Sequence, residues 1–124
     1  MQILCEGHPN VGLISEGFKA VVNSPEVSEE PVVIGTTPVD AYGASIYGSV
    51  IKDGGVYRMW YQAWPDNWDQ NDTCQVACAE SDDGITWRKP NYNAVSYDSS
   101  NNNHLTDLPF HCPSVFINPT ADPK

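Results

Sequence analysis

The feature that most constrains the fold is a tight turn, residues 53–55 (Asp-Gly-Gly), placed between two strand-forming runs. Ser45 to Lys52 precedes this turn, and Val56 to Ala63 (VYRMWYQA) follows it. Glycine adopts the positive φ angles that tight turns need, and β-branched and aromatic residues favour strands. The sequence therefore predicts a β-hairpin with a three-residue turn.

The second strand of this hairpin carries large apolar side chains on both faces. Because side chains alternate along a strand, Met59 and Tyr61 share one face and Trp60 lies on the other. We therefore predict a sheet that is covered on both sides, with Trp60 and Trp87 in its core. The first face comprises Tyr57, Met59, Tyr61 and Ala63, and the second comprises Val56, Arg58, Trp60 and Gln62.

Two further strands follow a polar loop that we expect at Trp64 to Thr73. Gln75 to Ser81 predicts a third strand, residues 82–84 (Asp-Asp-Gly) a turn, and Ile85 to Lys89 a short fourth strand. Four successive antiparallel strands form the unit of a β-propeller blade, so the predicted fold class is all-β. Short strands are also expected at Phe18 to Val22 and Val32 to Gly35 in the less regular N-terminal part.

A short internal repeat suggests how the chain is organised. Tyr47 to Ile51 (YGSVI) is echoed by Cys112 to Phe116 (CPSVF). We interpret residues 1–44 as an N-terminal edge segment, 45–110 as one blade with its connector, and 111–124 as the truncated first strand of a following blade. The chain is accordingly expected to be an incomplete propeller.

The net charge of the chain limits the classes of molecule that it is expected to bind. Sixteen acidic residues face six basic ones, so the formal net charge is −10. Such a chain repels nucleic acid and anionic membrane surfaces, whereas a neutral glycan is compatible with it. The region from Met1 to Asn10 has no signal-peptide pattern, and no apolar run of about 20 residues would span a membrane, so the compartment stays open.

No cofactor or metal site is expected from the cysteines. Cys74 and Cys78 are four positions apart on a predicted strand, which separates them by roughly 13 Å. That distance excludes a shared metal or a disulfide between them, and we interpret the four cysteines of the chain as structural or incidental thiols.

The strings Gly48 to Ala63 and Val76 to Pro90 resemble bacterial five-bladed β-propeller proteins related to glycoside hydrolase families 32 and 43. The segments Ser99 to His104 and His111 to Lys124 are similar to later parts of the same group. The resemblance implies an oligo- or polysaccharide partner and hydrolysis by carboxylates around the propeller axis. The catalytic motifs of these families do not match this chain residue by residue, and Asn118 stands where the group often has aspartate. Residues 81–87 also resemble the Asp-box hairpin of sialidases, with one residue fewer in the turn.

Two carboxylates are candidates for hydrolysis. Asp40 precedes the predicted innermost strand and could act as base or nucleophile, if a partner lay about 5–9 Å away. A solvated loop aspartate is the alternative. Glu80 could act as the acid if burial raised its pKa, and an ion pair with Arg88 is its alternative. For Asp83 we predict a structural role, capping its own turn through backbone hydrogen bonds.

Candidate sugar-binding residues are mainly aromatic, because aromatic rings stack on sugars. All but Tyr47 have an alternative interpretation: the loop tryptophans could simply pin the loop, the asparagine could be a loop former, and the histidine could be packed or solvent-facing. The predicted set is Tyr47, Trp64, Trp68, Asn103 and His111.

Three functions follow from these features. The first is a glycoside hydrolase acting through paired carboxylates, which the resemblance favours. The second is a non-catalytic carbohydrate-binding propeller, which Asn118 favours slightly. The third is a propeller that presents a protein-binding face, and the fold alone does not choose among the three.

We also predict that the chain by itself is inactive and self-associates through the exposed faces of its blade. Sedimentation velocity combined with denaturant unfolding tests this expectation. A monodisperse monomer that unfolds cooperatively would contradict it.

Overall fold

The computed structural model describes residues 24–69, 74–108 and 111–118. Within these ranges all regular secondary structure is β, which confirms the predicted all-β class, and no helix has the length and apolarity that crossing a membrane requires. The five strands are β1 (Gly43–Ser45), β2 (Val50–Asp53), β3 (Val56–Trp64), β4 (Gln75–Ser81) and β5 (Trp87–Arg88).

A single curled antiparallel sheet contains all five strands, and β3 lies at its centre. One edge of β3 pairs with both β1 and β2, and the other edge pairs with β4, which in turn pairs with β5. The β3–β4 register runs from Tyr57 opposite Ser81 to Ala63 opposite Gln75. The predicted succession of antiparallel strands is therefore confirmed, although three of its four strands differ in extent and the first is divided into β1 and β2.

The turn between β2 and β3 is shorter than predicted. Asp53 pairs directly with Val56, which leaves a two-residue turn formed by Gly54 and Gly55. Their φ angles are 58° and 94°, and two consecutive positive values are typical of the type I′ hairpin turn. This turn type matches the twist of the flanking strands, so Asp53 can stay in the sheet.

A bulge interrupts the first predicted strand. β1 ends with Ser45 opposite Gln62 and β2 begins with Val50 opposite Met59, so residues 46–49 lie opposite only two residues of β3. The surplus backbone folds towards the partner strand. A Cβ atom at Gly48 would lie 2.1 Å from the carbonyl oxygen of Trp60, so only glycine fits this approach.

The predicted long connection after β5 returns to the sheet. Cys78 N donates to His104 O at 3.0 Å, and Thr106 N donates to Val76 O at 2.8 Å. Leu105 forms an isolated bridge with Ala77 on β4. Residues 104–106 thus continue the sheet edge along the half of β4 that β5 leaves unpaired, and this pairing fixes the position of His104.

The main hydrophobic cluster lies on one face of the sheet, and Gln62, Val76 and Cys78 are buried on the other face, so the sheet is covered on both sides, though unevenly. Met59, Tyr61 and Ala63 are buried together with Val39 and Leu105. On the opposite face Trp60 is only half-buried, beside residues 114–116. Val115 N donates to Ser49 Oγ at 2.8 Å, which holds this segment against the bulge.

Four further predictions remain to be compared with the structure. Val32–Gly35 is not a strand, and β5 contains only two residues because the preceding turn occupies residues 82–86. Phe18–Val22 lies outside the described residues. Residues 111–118 have no strand pairing, so their role as the first strand of a following blade stays a prediction.

The turn before β5 confirms the predicted role of Asp83. Its Oδ1 accepts hydrogen bonds from Ile85 N at 2.8 Å and Thr86 N at 2.7 Å. Ser81 Oγ donates to the same oxygen at 2.9 Å and accepts from Gly84 N at 2.8 Å. These bonds, led by the one from Thr86, lower the pKa of Asp83 to about 2. The carboxylate therefore closes its own turn.

Replacing Gly48 by alanine should destabilise the chain by about 1–3 kcal/mol, because the new Cβ would force backbone away from Trp60. The matched control is Gly43→Ala in β1, where the added Cβ would meet only the Trp64 ring at 3.6 Å, an ordinary contact. Urea unfolding measures both variants. Equal stabilities of the two variants would contradict the role assigned to Gly48.

Candidate functional site

A cavity of about 300 Å³ lies between residues 37–39 and the connection that follows β5. Its wall combines the apolar side chains of Pro38 and Val39 with hydroxyl, amide, ammonium, imidazole and carboxylate groups, the last from Asp98, and one aromatic ring. A volume of about 300 Å³ is at the lower end of small-molecule sites. The cavity lining includes Thr37, Lys89, Tyr97, Asn102, Asn103 and His104.

Beside this cavity, Asp40 is completely buried and its carboxylate accepts at both oxygens. Oδ1 accepts from the backbone N–H of Thr36 at 3.1 Å, and from N and Oγ1 of Thr37 at 2.9 and 2.7 Å. Oδ2 accepts from Tyr61 Oη at 2.8 Å and Lys89 Nζ at 2.5 Å. The chain turns back tightly here, because a Cβ at Gly35 would lie 1.9 Å from the Asp40 carbonyl oxygen.

The hydrogen bonds decide the protonation of Asp40. Burial alone raises the pKa of the carboxyl group, but hydrogen bonds from His104, Lys89 and Thr37 outweigh it and hold the pKa well below its usual range. Burial, followed by the charge and hydrogen bond of Asp40, raises the pKa of Tyr61. Asp40 is therefore a fixed negative charge, and a carboxylate that binds protons so weakly is a poor general base.

Two residues that sequence reasoning missed complete the network. The Lys89 ammonium also donates to Ile34 O at 2.6 Å and Thr36 Oγ1 at 3.0 Å. His104 Nε2 lies 2.7 Å from Tyr61 Oη and 3.4 Å from Asp40 Oδ2, and the imidazole is almost fully buried. No local pattern marks either residue, because each reaches Asp40 only through the pairing of the sheet.

The structure does not bring Asp40 and Glu80 together. Glu80 binds Arg58 Nε at 3.2 Å and Arg88 Nη2 at 3.2 Å, so the alternative of an ion pair is confirmed. Arg58 and Tyr61 are three positions apart on β3, so their side chains point to opposite faces of the sheet. Asp40 bonds to Tyr61 on one face and Glu80 to Arg58 on the other. Catalysis by this pair stays a prediction that the geometry does not support.

Tyr47 and His111 do come together, but away from the cavity. Tyr47 lies in the bulge, and its ring stacks on the imidazole of His111 with centroids 6.3 Å apart. His111 Nδ1 is 3.1 Å from Cys74 Sγ. Neither aromatic ring lines the cavity described above. Their role in binding sugar stays a prediction for a different surface.

The two remaining aromatic candidates are also outside the cavity. Trp64 is the last residue of β3, so its expected place in the loop is wrong, because pairing with Gly43 extends the strand. Trp68 does lie in the loop, and its ring packs on Tyr42 with centroids 4.9 Å apart. That contact fits the alternative in which this tryptophan pins the loop.

Asn103 lines the cavity, but its amide group holds the surrounding loop. Nδ2 donates to Val95 O at 2.9 Å and Ser100 O at 3.2 Å, and Oδ1 accepts from Leu105 N at 2.9 Å. Both donor hydrogens of the amide and one lone pair of its oxygen are thus used within the chain. The interpretation of Asn103 as a loop former is confirmed.

Comparison of the chain with protein-family models, with curated proteins and with solved structures finds no match. Across the described ranges, no group of three or more His, Cys, Asp or Glu side chains is arranged to hold a metal ion. The function is therefore argued from the cavity and its chemistry.

Replacing Asp40 by asparagine should destabilise the chain by about 3–5 kcal/mol, because the Lys89 ammonium would lose its buried counter-charge. Glu80→Gln is the matched control on the opposite face. Its arginine partners are more exposed, so its loss should be about 1 kcal/mol or less. Chemical denaturation measures both, and a larger loss for Glu80→Gln would contradict the assignment.

The effect of Asp40→Asn should also depend on pH. Because the folded pKa of Asp40 lies below its unfolded value of about 3.9, its contribution is present above that value and is lost as the pH falls towards the folded pKa. The stability difference between the wild type and Asp40→Asn should thus be constant above about pH 5 and shrink in more acidic solution. A difference that grows on acidification would contradict this sign.

Proposed function

We propose that this chain is part of a carbohydrate-recognising β-propeller, and that the cavity beside Asp40 binds a single sugar unit. The observation that carries the proposal is the set of polar side-chain groups in the cavity wall, beside a completely buried carboxylate. The curled antiparallel sheet, the Asp83 turn and the resemblance to glycoside hydrolase propellers support the same proposal.

The chemistry of the wall suits a neutral polyhydroxylated ligand. The cavity presents the Asn102 amide and the His104 imidazole, and the aromatic ring of Tyr97 offers a surface for an apolar sugar face. The positive charge of Lys89 is already balanced by the Asp40 carboxylate at 2.5 Å, so it provides little net attraction for an anionic ligand. The net charge of −10 also disfavours anionic ligands.

Recognition is a better-supported proposal than hydrolysis. Glycoside hydrolysis needs two carboxyl groups flanking one bond, about 5–9 Å apart. Asp40 is engaged by Tyr61 and Lys89, and Glu80 lies on the opposite face of the sheet. A hydrolase built on this chain would need other carboxylates, so we keep hydrolysis as the second candidate, on the strength of the resemblance.

Titration with a panel of neutral monosaccharides and methyl glycosides, followed by calorimetry and ligand-observed NMR, tests the proposal. We expect at least one sugar to bind with a Kd of roughly 1 mM, which corresponds to about 4 kcal/mol. Asn102→Trp should weaken this binding at least about tenfold by filling the cavity, a loss of about 1.4 kcal/mol. Asn101→Trp is the control, because its neighbouring exposed side chain does not line the cavity.

Two results would contradict the proposal. The first is no binding by any sugar of the panel, and the second is binding that Asn102→Trp leaves unchanged. A parallel assay with chromogenic glycosides addresses hydrolysis. We expect no product release, and release that Asp40→Asn abolishes while the variant remains folded would restore the hydrolase hypothesis.

A further inference from the structure

We propose that His104 accepts a hydrogen bond from a ligand hydroxyl group through its Nδ1 atom, in a tautomer that Tyr61 and Asp40 fix. This assignment makes His104 a specificity-determining residue of the cavity. The identity of the ligand as a sugar rests on the proposed function, whereas the tautomer follows from the protein alone.

The single phenolic proton of Tyr61 sets the direction of the network. Asp40 Oδ2 is an ionised carboxylate oxygen and can only accept, so Tyr61 Oη donates to it across 2.8 Å. That proton is then unavailable to the imidazole. Towards His104 the phenol oxygen is left with lone pairs only, and it must be the acceptor of the 2.7 Å contact.

His104 must therefore carry a proton on Nε2. Nε2 also lies 3.4 Å from Asp40 Oδ2, and the negative charge of this carboxylate further favours a proton on Nε2. The Lys89 ammonium already balances the single negative charge of Asp40, so a neutral imidazole adds no uncompensated buried charge. In a neutral imidazole with a proton on Nε2, Nδ1 is a pure acceptor.

The Nδ1 atom of the almost fully buried His104 has no partner in the described part of the chain. Nδ1 is also absent from the fully buried polar atoms that lack a partner, so it keeps some exposed surface. Since His104 lines the cavity, a bound molecule can supply the missing donor. A neutral hydroxyl group fits an acceptor at this place. A ligand with hydrogen or a methyl ether at the same position would leave Nδ1 unpaired.

The tautomer is measured first, without ligand, by long-range ¹H–¹⁵N NMR of the uniformly labelled chain at neutral pH. We expect His104 in the Nε2–H form in the wild type, and a mixture of tautomers in Tyr61→Phe, which keeps the ring but removes the phenol. The control is Tyr57→Phe on the same face of β3, whose hydroxyl group bonds, within the described part of the chain, to exposed Lys52 at 3.2 Å. Wild-type His104 in the Nδ1–H or doubly protonated form would overturn the assignment.

The ligand arm uses the monosaccharides and methyl glycosides named above. His104→Asn places an amide near the position of Nδ1, whereas His104→Gln places it near Nε2. We expect His104→Gln to bind sugar at least about tenfold more weakly than the wild type, and His104→Asn to recover part of the loss. Equal binding by wild type and His104→Gln would overturn the proposal.

The two arms separate the possible failures. An Nε2–H tautomer without sugar binding would overturn the proposed function and the hydroxyl ligand, but would support the fixed tautomer. Sugar binding with an Nδ1–H tautomer would support the proposed function and overturn the role assigned to Tyr61.

Discussion

A single buried negative charge organises the part of the molecule around the cavity. A carboxylate removed from water is unfavourable unless it is paired and fully hydrogen-bonded, and Asp40 meets this demand with donors from four parts of the chain. The Thr37 groups belong to the turn that contains Asp40, and Tyr61 lies on β3. Lys89 directly follows β5, and His104 lies on the connection that returns to β4. Each donor is held in place because moving it would leave a charge or a polar group unpaired.

The sheet provides the geometry that this network needs. β3 carries Tyr61 on its core face, and the pairing of residues 104–106 with β4 brings His104 to the same place. Each edge of the sheet is formed by two separate segments. On one edge β1 and β2 both pair with β3 and are separated by the bulge at residues 46–49. On the other edge β5 and residues 104–106 both pair with β4 and are separated by the long connection. The long connection between Lys89 and His104 contributes the asparagine-rich wall of the cavity. The strand pairing that forms the sheet therefore also positions the side chains of the candidate site.

Local features of this structure were accessible from the sequence. The β-branched and aromatic residues of VYRMWYQA and the glycines after Asp53 predict β3 and its hairpin, and the short side chain of Asp83 predicts a capped turn. The bulge was not predictable, because Gly48 is required by a backbone carbonyl of another strand. The site was only partly predictable. Asp40 stood out by its position, but Lys89 is 49 residues away and His104 lies 43 residues beyond Tyr61, and no spacing rule reports such contacts.

The charge state of Asp40 is the premise on which the network, the tautomer of His104 and the cavity wall depend. An acid titration of its side-chain ¹³C carboxyl resonance, with Asp40→Asn used to assign the signal, measures this property directly. The account predicts that this resonance stays in the ionised position well below about pH 3.9, the ordinary midpoint of an aspartate, for as long as the chain is folded. A midpoint at or above about pH 4 in the folded chain would contradict it.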